Sequence, residues 1–152
     1  MKMRLQCMCL FLWILNVFSY SYRVIKTPIF HFPRSIKQHH IVIIQPDNNG
    51  HLTYAVDYTP INQNWKTMIR LFLGMNVPAE IRVIFLEKNV CLHCGTDEEM
   101  EGKWKKANLE VNPLMFPPIL KLKEESKWKD PQKMNMYNHN CQHFSHDLIT
   151  IL

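Results

Sequence analysis

The segment SIKQHHIVIIQPDNNGHLTYAVDYTP, residues 35–60, decides the fold. Ser35 to Gln45 is rich in Ile and Val and stops at Pro46, which reads as a strand. Asp47-Asn48-Asn49-Gly50 is turn chemistry, because Asn and Gly tolerate positive φ. His51 to Thr59 is a second strand, closed by Pro60. The two predict a β-hairpin, and its register decides which side chains meet. With Asn48 and Asn49 as the central turn residues, His40 stands directly opposite Asp57. With Asn49 and Gly50 there instead, Asp57 pairs with position 42 and His40 remains a diagonal neighbour on the same face. A three-residue loop places His39 on the Asp57 face. In each case one imidazole lies beside a carboxylate. That contact fixes the tautomer and leaves the second ring nitrogen free to act as a base.

Outward from the hairpin, Asn64 to Leu73 carries a helical pattern with Asn64 as cap and Gly74 as stop. After Pro78, the run AEIRVIFLEKNV is a third strand with Ile81, Val83 and Phe85 on one face. From 102 to 133 the periodicity dissolves into a Lys- and Trp-rich loop, which could meet a membrane surface or an anionic substrate. The last segment, Asn140 to Leu152, is helical, with Cys141, Phe144, Leu148 and Leu152 at i, i+3, i+7 and i+11 on one face. The expected class is α+β: a small antiparallel sheet packed against a C-terminal helix that carries a cysteine.

The chain has 152 residues, 47% hydrophobic and 20% charged, which suits one compact domain. Four glycines leave no room for a Gly-rich phosphate loop. Lys2 and Arg4, the apolar run Cys7 to Phe18 and the small residues near Ser19 to Ser21 have the three-part layout of a secretory signal. The run is shorter than the roughly 20 residues a spanning helix needs, so a short membrane anchor is the second reading of positions 1–21. Without those positions and their two bases the net charge falls from +5 to +3, which argues against nucleic acid as a partner. The domain expected to fold is therefore 22–152, secreted or membrane-associated within the secretory pathway. An oxidising compartment lets Cys91 and Cys94 form a local disulfide and leaves Cys141 as the odd thiol.

Cys141 follows Asn138-His139-Asn140, so it falls in the first turn of its helix. There the free backbone N–H groups and the helix dipole favour a thiolate, and can hold an oxyanion when a carbonyl is attacked. A cysteine so placed, facing a histidine on a neighbouring strand, is the constellation of thiol acyl transfer. The competing constellation is a zinc site, with Cys91 and Cys94 in C-x-x-C spacing joined by His143 and His146. A non-catalytic module that keeps the fold and binds a partner through 102–133 is the third alternative.

Asn140-Cys141-Gln142-His143-Phe144 resembles the Asn-Cys-Glu-His-Phe segment of lecithin:retinol acyltransferase-like proteins, which are circularly permuted papain-like thiol hydrolases. The early segment is similar as well: His40 opens an aliphatic strand, a polar turn follows, and a second strand ends at Asp57 and Pro60. The resemblance implies a permuted papain-like fold, with the histidine strand first and the cysteine helix last. It also implies Cys141 as nucleophile, His40 as base and Asp57 as the residue orienting it. His51 competes for the third role but faces Pro46 near the turn under the first register. The implied activity is hydrolysis or transfer at an amide or ester carbonyl of a small-molecule, peptide or lipid substrate, with no cofactor.

Overall fold

A computed structural model describes residues 19–28, 37–47, 52–125, 127–129 and 133–152. The leader read at 1–21 lies outside them up to position 18, and so does His51. Among the described residues six strands form one antiparallel sheet: β1 (Tyr20–Pro28), β2 (Lys37–Pro46), β3 (Leu52–Pro60), β4 (Val77–Lys88), β5 (Leu109–Val111) and β6 (Lys133–Met134). The first five lie in sequence order, and β6 adds to β4 beside Val77 and Pro78. Among the described residues four helices pack on this sheet: α1 (Trp65–Phe72), α2 (Asp97–Lys106), α3 (Pro117–Glu124) and α4 (Cys141–Ile151). The class is α+β, and α4 carries Cys141 against β2 and β3.

Alternation along the strands sorts the core into two halves. On one face Val42, Ile44, Val56 and Tyr58 pack with Phe144 and Leu148 of α4, Ile119 and Leu122 of α3, and Trp128. On the other, Ile25, Ile41, Ile43 and Ala55 pack with Met100 of α2 and with Val90 and Leu92. A sheet apolar on both faces must be covered on both. The α2 side and the α3–α4 side do this.

Two elements depart from expectation. Strand β1 starts at Tyr20, ahead of the domain boundary drawn at 22, and pairs with β2 from Tyr20↔Pro46 onward. Ser19 and Ser21 both donate to the Asp47 carboxylate, which fastens that end. The Lys/Trp-rich stretch is also largely regular rather than a loop: it contains the second half of α2, β5, a 3-10 turn at Pro113–Met115, and α3. Its aromatic residues point inward, with Trp128 and Phe116 buried. Thr96 and Glu99 close a capping box at the start of α2, a signal present in the sequence as Thr-x-x-Glu.

Cys91 and Cys94 are bonded to each other. Beside them Arg23 of β1 donates to the carbonyls of Cys94 and Gly95 and pairs with Asp97 at 2.8 Å. This fastens the start of α2 to the sheet edge. The zinc alternative fails on the same bond, because the two thiols that were to serve as ligands are used up by one another. Nor do the two histidines converge on them: His143 Nδ1 lies 2.8 Å from Asn140 Oδ1, and His146 is exposed beside Asp147. Among the described residues no group of His, Cys, Asp and Glu has the geometry to hold a metal ion.

Candidate active site

The register of the hairpin is the one produced by an odd-length loop. Ile41 pairs with Asp57, Val42 with Val56 and Ile44 with Tyr54. Gln45 extends the same register by donating to the Thr53 hydroxyl at 2.8 Å. Odd positions of β2 therefore share a face with Asp57, and His39 rather than His40 is its diagonal neighbour. His39 Nε2 lies 3.1 Å from Asp57 Oδ2.

On its other side Asp57 pairs directly with Arg82 of β4. Arg82 donates from Nη2 to Oδ2 at 2.7 Å and from Nε to Oδ1 at 3.2 Å. The carboxylate is fully buried, so both partners are needed to offset its lost hydration. Burial alone would raise the Asp57 carboxyl; the hydrogen bonds and charges of His39 and Arg82 outweigh it and hold it below the usual carboxylate range. Sequence reading missed Arg82. The signal was its even position in the run Ile81-Arg82-Val83, a charge among apolar residues of a central strand.

Cys141 is the first residue of α4, and its thiol is partly exposed. Its Sγ lies 3.5 Å from the Gln38 carbonyl, which accepts from the thiol, and Cys141 lines the same cavity as His39. Burial pulls the His39 imidazole down, but hydrogen bonds and charges from Asp57 and Cys141 push it up to about 10. Trp104 of α2 packs alongside, its ring 6.3 Å from that of His39 and 5.7 Å from the Arg82 guanidinium.

The start of α4 is built by Asn140. Its side-chain oxygen accepts from the N–H groups of Gln142 and His143. Its carbonyl accepts from Phe144. Asn140 also donates to the Met136 carbonyl at 2.5 Å, which fixes the preceding turn. The Cys141 N–H is taken by neither the cap nor the helix ladder.

His40, the base expected from the first register, is elsewhere. Its Nδ1 lies 3.0 Å from Ser145 Oγ, one turn into α4, and the Ser145 hydroxyl donates to the Gln142 carbonyl. A hydroxyl has one hydrogen, so His40 is the donor to Ser145. Burial, with the charges of Lys26 and His39, lowers the His40 pKa and keeps the ring neutral. The structure thus brings together Cys141, His39 and Asp57, and leaves His40 as a tie between β2 and α4.

No family model, curated protein or solved structure matches the chain. A cavity of about 1040 Å³ opens beside these groups, at the end of the sheet where β1 and β3 finish and β2 begins. Met68 and Leu71 of α1 with Met134 and Met136 form an apolar wall, and Glu98, Glu101 and Lys105 of α2 a charged one. Cys141 and His39 lie between them. A thiol, an imidazole and a large two-walled cavity are what attack on a bound carbonyl compound requires.

Proposed function

We propose that the protein is a cysteine-dependent hydrolase or acyltransferase acting on an amide or ester carbonyl, with Cys141 as nucleophile, His39 as general base and acid, and Asp57 as the residue that orients it. The observation that carries this reading is the contact of His39 Nε2 with Asp57 in a residue that shares one cavity with the Cys141 thiol, at a helix start. The order of parts, histidine strand early and cysteine helix last, agrees with a circularly permuted papain-like fold, which we infer on that ground together with the Asn-Cys-Gln-His-Phe segment.

With the thiol proton already resting on His39, the thiolate sulfur bonds to the carbonyl carbon while the carbonyl π electrons move to oxygen. The Cys141 N–H and the positive end of α4 face that oxygen. Collapse of the adduct breaks the C–N or C–O bond, and the imidazolium gives its proton to the departing nitrogen or oxygen. Water or an acceptor hydroxyl or amine then adds to the thioester, losing its proton to His39. Breaking the C–S bond returns the thiolate. Arg82 touches none of the reacting atoms; it positions Asp57.

Iodoacetamide labelling tests this, with the alkylated peptide located by mass. Cys141 is expected to react at pH 6 at least about tenfold faster than a free cysteine, whose thiol ionises near 8.5. The excess rate is expected to vanish in His39→Ala. Labelling no faster than free cysteine would leave Cys141 as a structural thiol and overturn the reading.

A further inference from the structure

The cavity uses only one face of α1. Met68 and Leu71 point inward and are buried. Trp65, Ile69, Phe72 and Leu73, at i, i+4, i+7 and i+8, form a second apolar stripe that faces out. Trp65 is 61% and Leu73 71% exposed, far more than side chains that complete a core. Tyr137, 71% exposed, packs over Gly74 at the end of α1 and widens the stripe toward the turn leading to Cys141. Lys66 and Arg70, four residues apart, run along the edge of the stripe.

We propose that this stripe is a docking surface for an anionic lipid membrane, entered by Trp65, Ile69 and Leu73 with Lys66 and Arg70 at the headgroups. An interfacial helix has this design: Trp, Leu and Phe on one side, and Lys and Arg beside them. The charge around the stripe fits the same partner. Residues 60–79 contain no Asp or Glu, and neither do residues 133–146, which supply the adjoining turn. Cations close to an anionic bilayer are attracted to its surface potential. A second copy of the chain fits worse, because a two-fold contact sets each stripe against itself and brings Lys66 and Arg70 against their own equivalents. Tyr20, where β1 begins, pairs with Pro46 at the opposite end of β2 from His39. Docking through α1 would set the cavity beside the bilayer, since Met68 and Leu71 line it from the same helix. The surface is inferred from α1 and its turn alone and does not depend on catalysis by Cys141.

Flotation of the full chain with vesicles provides the test. Wild type is expected to float with phosphatidylcholine vesicles containing phosphatidylserine, and Trp65→Ser/Leu73→Ser to lose about nine-tenths of that binding with an unchanged circular dichroism spectrum. Both replaced side chains are exposed, so the fold does not depend on them. Lys66→Glu/Arg70→Glu should lose the preference for phosphatidylserine. Binding that survives the Trp65/Leu73 pair would place it in another part of the chain and overturn the proposal. So would wild type that fails to float, or a wild-type dimer in solution that the same pair dissociates.

Discussion

His39 and His40 share a backbone, a strand and a side-chain type, and differ only in parity. His39 shares the Asp57 face and is pushed up to about 10 by a carboxylate and a thiol. His40 faces α4, bonds to a neutral hydroxyl and is pushed down by burial and by the cations Lys26 and His39. The comparison teaches that a histidine's role is set by the charge of what faces it, and that one position along a strand exchanges the whole set of neighbours.

The strongest way to break the contrast is to remove the sulfur. Cys141→Ala should abolish alkylation at that site and lower any turnover by about 10³-fold or more, at unchanged melting temperature, because the proposed reaction runs through the thiol. A non-catalytic module would keep its function. Next comes the pair His39→Ala and His40→Ala. The first should reduce turnover by about 10²–10⁴-fold, as for loss of a general base, and the second by only a few-fold. Equal losses would mean that the two rings are not divided as described.

Arg82→Met should destabilise the fold by about 3–5 kcal/mol, since it leaves a buried carboxylate with one partner. Urea denaturation reads this directly. The pH profile sharpens the same point. His39 is held above its ordinary 6.5, so the stability it adds is complete below about pH 6.5 and fades as pH climbs through about 10. Asp57 is held below 3.8, so its contribution is present above that value and is lost as pH falls through its lowered pKa. His39→Asn should therefore flatten the decline of the urea midpoint between pH 6.5 and 10, whereas His40→Asn should leave it in place. Smallest of all, Ser145→Ala should cost about 1 kcal/mol, one hydrogen bond between β2 and α4.

Much of this frame was legible in the residues. The hairpin strands, α1, β4 and α4 all carry apolar periodicity long enough to read, and Asn140 marks the start of α4 as a cap should. Cys141 and Asp57 emerged because each sits in a distinctive local setting. The identity of the partnering histidine did not, because it depends on whether the loop after Asp47 is odd or even, and Asn-Asn-Gly chemistry suits both. Strand β1 was hidden because its first residues continue an apolar leader-like run. Helices α2 and α3 were hidden because they are short and lysine-laden, so apolar spacing scarcely marks them; α3 begins with two prolines. Arg82 and the Ser145 tie are tertiary facts, made by strands and helices distant in sequence.

The odd loop between β2 and β3 has a consequence for kindred chains. Adding or deleting a single residue there turns β2 over against β3 and trades the company of its two imidazoles, so that position 40 inherits the carboxylate and position 39 the serine. A descendant carrying such an indel could keep the proposed chemistry only by moving the ring beside the carboxylate one step along the strand. Alignments anchored on the histidine column alone would then equate residues with different work to do.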